Sequence, residues 1–401
     1  MKDLISYVKD TLGACECGAV HHPLTVEKIA IGGNAVEQEL PAFVKAASYK
    51  KAAVIYDETT GRIAGKRIAA LLEETAETVH VLLEANEAGD VTADEQTLVS
   101  ALIGVPIDAD VLIAAGAGTI HDIVRFCAYQ RGIPFTSVPT APSVDGFTSA
   151  GAPLILKGKK QTVQTTAPIA LFADLELLCQ APQNMIAAGF GDMLGKETSL
   201  ADWEISRLLA GEPYCPAASR LTREALDQCL DRKDDIAAKT RDGIKKLMES
   251  LILSGLVMLV LDHSRPASGG EHHLSHYLEM KALENNKRQV LHGAKVGCSA
   301  IMLTDIYRSL IGASLGDQHA EHAIRSVYEK LPDGKKMAEW MRRIGGPVSF
   351  KELDVEEELV RDALAYAHQL RDRYTGLKII NQYGLLPGLL GKGPGMKGVK
   401  M

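Results

Sequence analysis

The spacing of apolar residues changes once along this 401-residue chain, at about Pro182. Before that point, short β-branched or aliphatic runs alternate with stretches of helical periodicity; after it, strand signals stop and apolar residues recur at three- and four-residue intervals. Alternating strands and helices predict a mostly parallel sheet that helices cover on both faces. We therefore expect an α/β domain over residues 1–180 and an all-helical domain over residues 181–401.

The first part contains five runs that we expect to be strands of this sheet. They are Ala52–Tyr56, Val79–Leu83, Val111–Ala115, Phe135–Val138 and Ile169–Phe172. Two further extended runs surround a glycine turn over residues 154–163 and predict a hairpin appended to the sheet. The tail, residues 391–401, is too rich in Gly and Lys to hold a helix and is expected to fray.

Composition narrows the class of protein. A chain with 46% apolar and 24% charged residues is globular and long enough for two hydrophobic cores. A net charge of -7 without a basic block provides no field for nucleic acid. The longest apolar run, Leu251–Leu261, is shorter than the ~20 residues that span a bilayer, and the N-terminus does not resemble a signal peptide. We expect a cytoplasmic protein with no membrane span.

The seven cysteines are an odd number without the spacing of a disulfide framework, which fits a reducing compartment. Cys15 and Cys17, with His21 and His22 nearby, offer the donor types of a zinc site. Cys-x-Cys is tighter than the usual spacing of zinc fingers, however. We therefore interpret this stretch as a solvent-facing terminal segment.

A glycine pair follows the run Val111–Ala115. Gly116 and Gly118 separate this expected strand from an amphipathic stretch that begins at Ile120. Glycines at a strand-to-helix turn let backbone amides approach a phosphate at the positive end of the helix dipole. A dinucleotide pyrophosphate would fit there, although the full G-x-G-x-x-G pattern is absent, and a tight turn that binds nothing is the alternative.

Two other stretches support a dinucleotide site. Asp57 ends an early strand, where a carboxylate accepts hydrogen bonds from a ribose diol and repels a 2′-phosphate, which favours NAD over NADP. The hydroxyl-rich loop from Pro139 to Ser149 follows another strand and offers donors that could surround the cofactor. The alternative for this loop is an ordinary turn in which Asp145 bonds its own backbone.

One carboxylate and several imidazoles have the character of a metal site. Asp192 precedes a helical stretch, so we expect its carboxylate near a helix start, where a simple N-cap is the alternative. His272 and His276 lie on one helix face, His273 points about 100° away, and His292 begins a new apolar run. Asp192, His272 and His292 would provide two nitrogens and an oxygen, a set that suits zinc, nickel or ferrous iron, although His273 could replace His272.

The chain contains five motifs in this order: GAGTIHD, PTAPSVDGFTS, GFGDMLGK, SGGEHHLSH and LHGAKVG. Together they resemble the motifs of the glycerol-1-phosphate dehydrogenases. The long chain with its Cys-x-Cys-Gly opening resembles the bacterial branch of that family. Their superfamily includes glycerol dehydrogenase, iron-type alcohol dehydrogenases and dehydroquinate synthase. The resemblance implies a Rossmann-like N-terminal domain, a helical C-terminal domain, an active site in the cleft between them, and a homodimer. It also implies NAD(P)H-dependent reduction of dihydroxyacetone phosphate to sn-glycerol 1-phosphate. A polyol dehydrogenase for unphosphorylated glycerol, or a sensor without activity, are the alternatives.

The same resemblance assigns residues. It implies that Asp192, His272 and His292 bind one divalent metal, Ni, Zn or Fe, and that Asp145 and His276 contact the substrate. It implies NAD(H) or NADP(H) contacts from Asp57, Gly116, Ala117, Gly118, Thr119, Ile120, Asp122, Thr140, Ala141, Pro142, Ser143 and Ser149. By resemblance to the iron-type alcohol dehydrogenases, a further histidine ligand would stand four residues after Asp192, where this chain has Lys196. Lys196 could instead supply a cation for the substrate phosphate. The hairpin lysines Lys157, Lys159 and Lys160 are a second candidate for that role.

Overall fold

The computed structural model describes residues 3–87, 89–285 and 287–389. The tail that was expected to fray, residues 391–401, lies outside the described residues. The strands are β1 Lys28–Gly32, β2 Lys51–Asp57, β3 Glu77–Leu83, β4 Val111–Gly116, β5 Phe135–Pro139, β6 Gly151–Leu156, β7 Lys159–Gln164 and β8 Ala170–Asp174. All five strands predicted for the sheet are present, with ends that differ from the prediction by at most two residues.

Six strands form one parallel sheet in the order β1-β8-β5-β4-β2-β3. The sequence analysis missed β1, an edge strand with only two isoleucines, which pairs with β8 from Lys28 opposite Ala170. The predicted hairpin is confirmed as β6 and β7, which pair antiparallel in a two-stranded sheet of their own. Its Leu154 joins the apolar cluster that contains Leu112, so the hairpin shares the core of the larger sheet.

The helices of this part are α1 Leu4–Gly13, α2 Leu40–Ala46, α3 Glu58–Thr60, α4 Lys66–Leu72, α5 Glu95–Gly104, α6 Gly118–Arg131 and α7 Leu175–Leu178, with π turns at Ala35–Glu39 and Gly61–Gly65 and a 3₁₀ turn at Gly146–Thr148. Successive side chains of β4 enter different cores. Leu112 and Ala114 belong to the cluster with α5 and α6, whereas Val111 and Ile113 belong to the cluster with α2 and α4. Both faces of the sheet are therefore buried, which explains why its strands are continuous apolar runs.

After Pro182, the described residues contain helices and no strand, as predicted. The helices are α8 Gln183–Leu194, α9 Lys196–Ala210, α10 Pro216–Asp231, α11 Lys233–Ala237, α12 Arg241–Leu261, α13 Gly270–Glu284, α14 His292–Ser309, α15 Gln318–Tyr328, α16 Gly334–Arg343, α17 Glu357–Tyr366, α18 Gly376–Gln382 and α19 Leu386–Leu389, with 3₁₀ turns at Phe350–Leu353 and Ala367–Gln369. In the described part of the chain, every helix is too short or too polar to cross a membrane.

The chain forms two compact units that alternate along the sequence. The first takes in the chain up to Gly13, His21–Ile186 and Asp234–Asp262; the second takes in Ala14–Val20, Ala187–Lys233 and the chain from His263 onward. The first unit thus gains α12, which packs on α1, β1, α7 and the 3₁₀ turn Gly146–Thr148. The predicted single boundary near residue 180 does not describe this division, in which segments of each half of the sequence belong to the other unit. Helical periodicity identifies a helix but does not reveal which core the helix joins. The cofactor and metal roles of the two parts stay predictions, as does an active site in a cleft.

Candidate active site

The carboxyl ends of β2, β4 and β5 gather the residues proposed for the cofactor. The chain leaves β2 for β3 on one side and returns to β4 on the other, so the direction of strand addition reverses between β2 and β4. Asp57 ends β2, Gly116 ends β4, and Gly116 stands opposite Pro139 at the end of β5. Ligands of open α/β sheets bind at such a reversal, beyond the carboxyl ends of the strands. The topology therefore favours a ligand at this edge.

The glycine turn is a strand-to-helix connection, as its sequence predicted. β4 ends at Gly116 and α6 begins at Gly118, with Ala117 as the N-cap residue. A Cβ atom on Gly116 would lie 2.4 Å from Cγ1 of Ile120, so a side chain there would displace the first turn. The N–H groups of a first helical turn have no acceptor within the helix. The turn can thus offer N–H donors to a phosphate.

Asp57 has a structural task at the end of β2. Its Oδ1 accepts a hydrogen bond from the N–H of Thr60 at 2.7 Å, while the hydroxyl of Thr60 accepts one from the N–H of Asp57 at 3.0 Å. This reciprocal capping box starts α3 and fixes the orientation of the carboxylate. The ribose contact expected of Asp57 stays a prediction.

The loop after β5 is held by a helix that sequence reasoning did not connect with it. Oδ2 of Asp145 accepts a hydrogen bond from the hydroxyl of Ser254 on α12 at 2.8 Å. Asp145 makes no side-chain cap to the 3₁₀ turn that it precedes. Its substrate role, and the alternative of an ordinary turn in which it bonds its own backbone, both stay predictions. Thr140, Ser143 and Asp145 are all buried. The loop is thus anchored to α12 through Ser254.

Arg125, which sequence reasoning also missed, lies beneath this loop. It is fully buried and donates to the carbonyl of Gly151 at 2.6 Å and to the carbonyl of Gly146. It also donates to Oδ1 of Asp122 at 3.1 Å. Burial lowers the pKa of Arg125, and Asp122 opposes that effect. Asp122 therefore has an ion pair within the protein, and its proposed cofactor contact stays a prediction.

The side chains predicted to bind a metal converge within the second unit. Asp192, His272 and His292 each direct one donor atom into a space where all three atoms lie within 4.8 Å of one another. Asp192 and His272 are buried, and Nε2 of His272 is 3.7 Å from Oδ1 of Asp192. The ring of His276 lies 5.8 Å from that of His292, between centroids. His276 therefore borders the cluster.

One expectation about the cluster was wrong. Asp192 was placed near a helix start, but it lies in the last turn of α8, and Gly195 is the N-cap residue of α9. The helical pattern begins earlier, at Gln183, and the glycines before Asp192 do not interrupt it. The alternative that Asp192 serves as an N-cap is therefore excluded. His292 does begin α14, as predicted.

The structure also separates His272 from His273. His272 belongs to the cluster, whereas His273 is fully buried and is not among the three converging residues. Burial, with Arg371 and Arg373 nearby, holds the pKa of His273 well below its ordinary value. His273 is therefore a neutral core residue.

Glu271 orients His272. Its Oε1 accepts the Nδ1–H of His272 at 2.7 Å and the N–H of Gly269 at 2.6 Å, while its Oε2 accepts the hydroxyl of Thr198 at 2.8 Å. Burial acts to raise the pKa of Glu271, but these hydrogen bonds lower it overall. A carboxylate behind a histidine is the usual outer support of a metal ligand, since it leaves the Nε2 lone pair for the metal. This arrangement, with two nitrogens and one carboxylate in a buried cluster, fits a divalent transition-metal ion.

Lys196 is fully buried and pairs with the carboxylate of the cluster. Its Nζ lies 3.0 Å from Oδ1 of Asp192, one helical turn away, and 3.2 Å from the carbonyl oxygen of Ala267. Burial acts to raise the pKa of Asp192, but Lys196, His292 and His272 lower it to about 2. Asp192 is therefore ionised, as a metal ligand must be. These contacts do not favour Lys196 as a direct ligand of substrate phosphate.

A second cation lies beside His276. Nη2 of Arg371 is 3.3 Å from Nδ1 of His276, and Nη1 donates to the hydroxyl of Ser268 at 3.3 Å. Arg371 is partly buried, and this burial lowers its pKa while Glu271 opposes that effect. Sequence reasoning missed it, because Arg371 follows a helical stretch without any motif.

The profile of the iron-containing alcohol dehydrogenase family matches residues 30–182, which contain all six strands of the parallel sheet except the first two residues of β1. The N-terminal part of the chain is thus similar to dehydrogenases of this class. The chain is 96% identical, over the full length of both proteins, to glycerol-1-phosphate dehydrogenase (NAD(P)+) of Bacillus licheniformis. It is 55% identical to the Bacillus subtilis enzyme of the same name, over 90% of this chain and 92% of that one. The chain belongs to the glycerol-1-phosphate dehydrogenase family.

A solved structure supports the same fold. Glycerol dehydrogenase from Schizosaccharomyces pombe superposes with a TM-score of 0.65 at 18% identity, over 93% of each chain. At that identity the likeness concerns the fold alone. The fold class and the family resemblance drawn from the sequence motifs are thus both confirmed.

Proposed function

We propose that the protein catalyses the reversible, NAD(P)H-dependent reduction of dihydroxyacetone phosphate to sn-glycerol 1-phosphate. The observation that carries this proposal is the 96% full-length identity to an enzyme named for glycerol 1-phosphate and NAD(P)+. It favours the phosphorylated substrate over the alternative, a polyol dehydrogenase for free glycerol. A bound nicotinamide would supply the hydride for the ketone carbon, and a proton would complete the new hydroxyl group.

Asp192, His272 and His292 are the proposed ligands of a divalent metal ion. When bound, such an ion polarises the ketone oxygen and stabilises the negative charge that develops there. Glu271 keeps His272 in the tautomer that a metal requires, and Lys196 keeps Asp192 ionised. The low pKa of Asp192, about 2, means that protons do not compete for this ligand near neutral pH.

The carboxyl edge of the sheet is the proposed dinucleotide site. The N–H groups at the start of α6, from Gly116 to Ile120, would bind the pyrophosphate, and the loop from Thr140 to Ser143 with Ser149 would enclose it. Asp57 would accept hydrogen bonds from the adenosine ribose, which favours NAD without excluding NADP. Arg125 holds the end of this loop by donating hydrogen bonds to the carbonyl of Gly146 and to that of Gly151, the first residue of β6.

Asp145 and His276 are the proposed substrate contacts. Asp145, fixed by Ser254, would orient a substrate hydroxyl, and its replacement by Asn should reduce turnover more than NADH affinity. His276 borders the metal cluster and would return the proton, directly or through water. Equal loss of NADH affinity in Asp145→Asn would contradict the assignment of Asp145.

Arg371 is our candidate for the substrate phosphate, since guanidinium binds phosphate through two parallel hydrogen bonds and this one lies beside His276. Arg371→Ala should raise the Michaelis constant for dihydroxyacetone phosphate and leave that for unphosphorylated dihydroxyacetone unchanged. Lys196→Met, the matched change at a buried cation, should instead weaken metal binding. If Lys196→Met raised only the Michaelis constant for the phosphorylated ketone, Lys196 would be the residue that binds the substrate phosphate. The hairpin lysines stay a further alternative for that role.

Metal analysis coupled to enzyme assay tests the whole proposal. Purified protein should contain Ni, Zn or Fe and oxidise NADH with dihydroxyacetone phosphate far faster than with dihydroxyacetone. Chelation should abolish the reaction, and the lost metal should restore it. Preference for the unphosphorylated ketone would support the polyol dehydrogenase, and no NADH oxidation by metal-replete protein would support a sensor without activity.

We further propose that the enzyme acts as a homodimer in the cytoplasm, as the resemblance to its family implies. The absence of disulfide-framework spacing among its cysteines supports a reducing compartment. The molar mass in solution, measured by light scattering, should be twice the 43.1 kDa of one chain. A monomeric mass across the range of working concentrations would contradict the dimer.

A further inference from the structure

Three cysteines that take no part in the proposed reaction meet in the second unit. Cys15 and Cys17 belong to the short segment Ala14–Val20 that follows α1, and Cys215 lies 200 residues further along, at the start of α10. Each offers a sulfur atom, and the three atoms lie within 4.8 Å of one another. The sequence alone showed only the Cys-x-Cys pair, whose spacing argued against a metal site.

The distance between two of these sulfurs distinguishes two kinds of chemistry. Sγ of Cys15 lies 3.6 Å from Sγ of Cys215. A disulfide requires about 2.05 Å between the sulfurs. Two thiolates on a tetrahedral zinc ion, each about 2.3 Å from the metal, stand roughly 3.8 Å apart. The observed separation is too long for a disulfide and close to that of two neighbouring zinc ligands.

The surroundings of the sulfurs also favour a cation. Sγ of Cys215 accepts the N–H of Ala218 at 3.3 Å, as the cap of the 16-residue helix α10. Three thiolates within 4.8 Å of one another repel, so all three can be charged together only with a positive ion between them.

We propose that Cys15, Cys17 and Cys215 bind a structural zinc ion. His21, four residues after Cys17 in the chain, provides a fourth donor of the right type for a Cys₃His site. Thiolates select zinc over the harder ions that carboxylates and water prefer, so the site differs in chemistry from the Asp-His-His cluster and shares no residue with it. Its role is to attach the segment Ala14–Val20 to the start of α10, closing a long loop of chain.

Metal counting in a variant without Asp192 tests this proposal. Asp192→Asn removes a ligand of the Asp-His-His cluster, so zinc that remains after dialysis against a mild chelator belongs to the cysteine site. In reduced protein, we expect one zinc ion per chain in Asp192→Asn and none in Asp192→Asn with Cys17→Ser. With Co²⁺ in place of zinc, the first protein should show thiolate-to-cobalt charge-transfer absorption, and the second should not.

Cys179→Ser in the same background is the matched control, because Cys179 is also partly exposed but lies outside the cluster. It should keep both the zinc and the cobalt absorption, and circular dichroism should show that all three proteins are folded. Equal zinc in the Cys17→Ser protein would overturn the proposal, as would reduced Asp192→Asn protein that binds no zinc when it is supplied. A Cys15–Cys215 disulfide in protein prepared without oxygen would do the same. None of these results depends on the proposed reaction.

Discussion

At the scale of single residues, the proposed metal cluster of Asp192, His272 and His292 depends on a side chain that does not belong to it. Glu271 holds the Nδ1–H of His272 and is itself held by Thr198 and the N–H of Gly269. The chain of contacts fixes both the tautomer and the ring orientation of His272. Carboxylates in this position commonly change metal affinity by about 10- to 100-fold when they are replaced.

Glu271→Gln should therefore weaken metal binding by about 10- to 100-fold, because a neutral amide holds the imidazole less firmly. The Michaelis constant for NADH should not change. Titration of metal-free protein with zinc or nickel, followed by calorimetry, measures the effect. Glu204→Gln, at a partly exposed ion pair with Arg207, is the control and should bind metal like the parent protein. An unaltered metal affinity in Glu271→Gln would show that the charge of Glu271 does not support His272 as a metal ligand.

His121 predicts how stability varies with pH. Its Nδ1–H donates to the carbonyl of Ala117 at 2.9 Å, Nε2 accepts the hydroxyl of Ser137 at 2.8 Å, and burial lowers its pKa from 6.5 to about 3. Between pH 6.5 and about pH 3, His121 is therefore protonated in the unfolded chain but neutral in the folded protein. The contribution of His121 to the free energy of unfolding should thus be constant above pH 6.5 and fall as pH decreases from 6.5 towards 3, by up to about 1.4 kcal/mol per pH unit.

His121→Gln should flatten this dependence, since an amide does not titrate. Urea midpoints recorded at several pH values between 6.5 and 4.5 would show the smaller slope. His319→Gln, at an exposed histidine, serves as the control and should follow the parent protein. If the urea midpoints of His121→Gln and the parent protein changed equally with pH, another group would be responsible for the loss of stability in acid.

At the scale of elements, the contact between α12 and the loop after β5 positions a proposed substrate residue. A Cβ atom on Gly255 would lie 2.3 Å from Oγ1 of Thr148 and 2.5 Å from the carbonyl oxygen of Asp145. The hydroxyl of Thr148 also donates to the carbonyl of Ile252 at 3.2 Å. Only glycine lets the 3₁₀ turn approach the helix this closely, so the small residue and the loop geometry depend on each other.

Gly255→Ala should push the turn Gly146–Thr148 away from α12 and displace Asp145. We expect a loss of about 1–3 kcal/mol in the free energy of unfolding, because overpacking forces the backbone to shift, and a lower kcat. Steady-state kinetics with both substrates and urea denaturation would measure the two effects. Gly243→Ala, on the same helix, also contacts backbone, that of Asp235, and should destabilise without lowering kcat. Similar kinetic losses in both variants would argue for general destabilisation.

At the scale of the whole molecule, the interleaving of the two units decides which pieces of the chain can fold alone. The strands of the parallel sheet end by Asp174, but the first unit also contains Asp234–Asp262. In that segment, Leu247, Leu251 and Ile252 are fully buried. A fragment that ends at Ile186 would leave the surface beneath α12 uncovered.

The fragment of residues 1–186 should therefore unfold without cooperativity or aggregate, because each large apolar side chain left exposed costs about 1.5–3 kcal/mol. The same fragment joined through a flexible linker to residues 234–262 should recover a cooperative transition. Thermal unfolding followed by circular dichroism compares the two. Cooperative unfolding of the shorter fragment would show that α12 is not needed for the fold of the first unit.

The sequence by itself determined the local features of this protein. Continuous apolar runs predicted the strands, since both faces of the sheet are buried, and glycines predicted the turn before α6. Donor chemistry indicated Asp192 and His292 as metal ligands, with His272 or His273 as the third. Tertiary structure decided what depends on contacts between side chains that the sequence pattern does not connect. It placed α12 in the first unit and paired Lys196 with Asp192. It also placed Thr198 against Glu271, which supports His272, and Cys215 beside Cys15 and Cys17. Periodicity and spacing report on neighbours within a few residues, whereas such contacts are fixed only when the cores assemble.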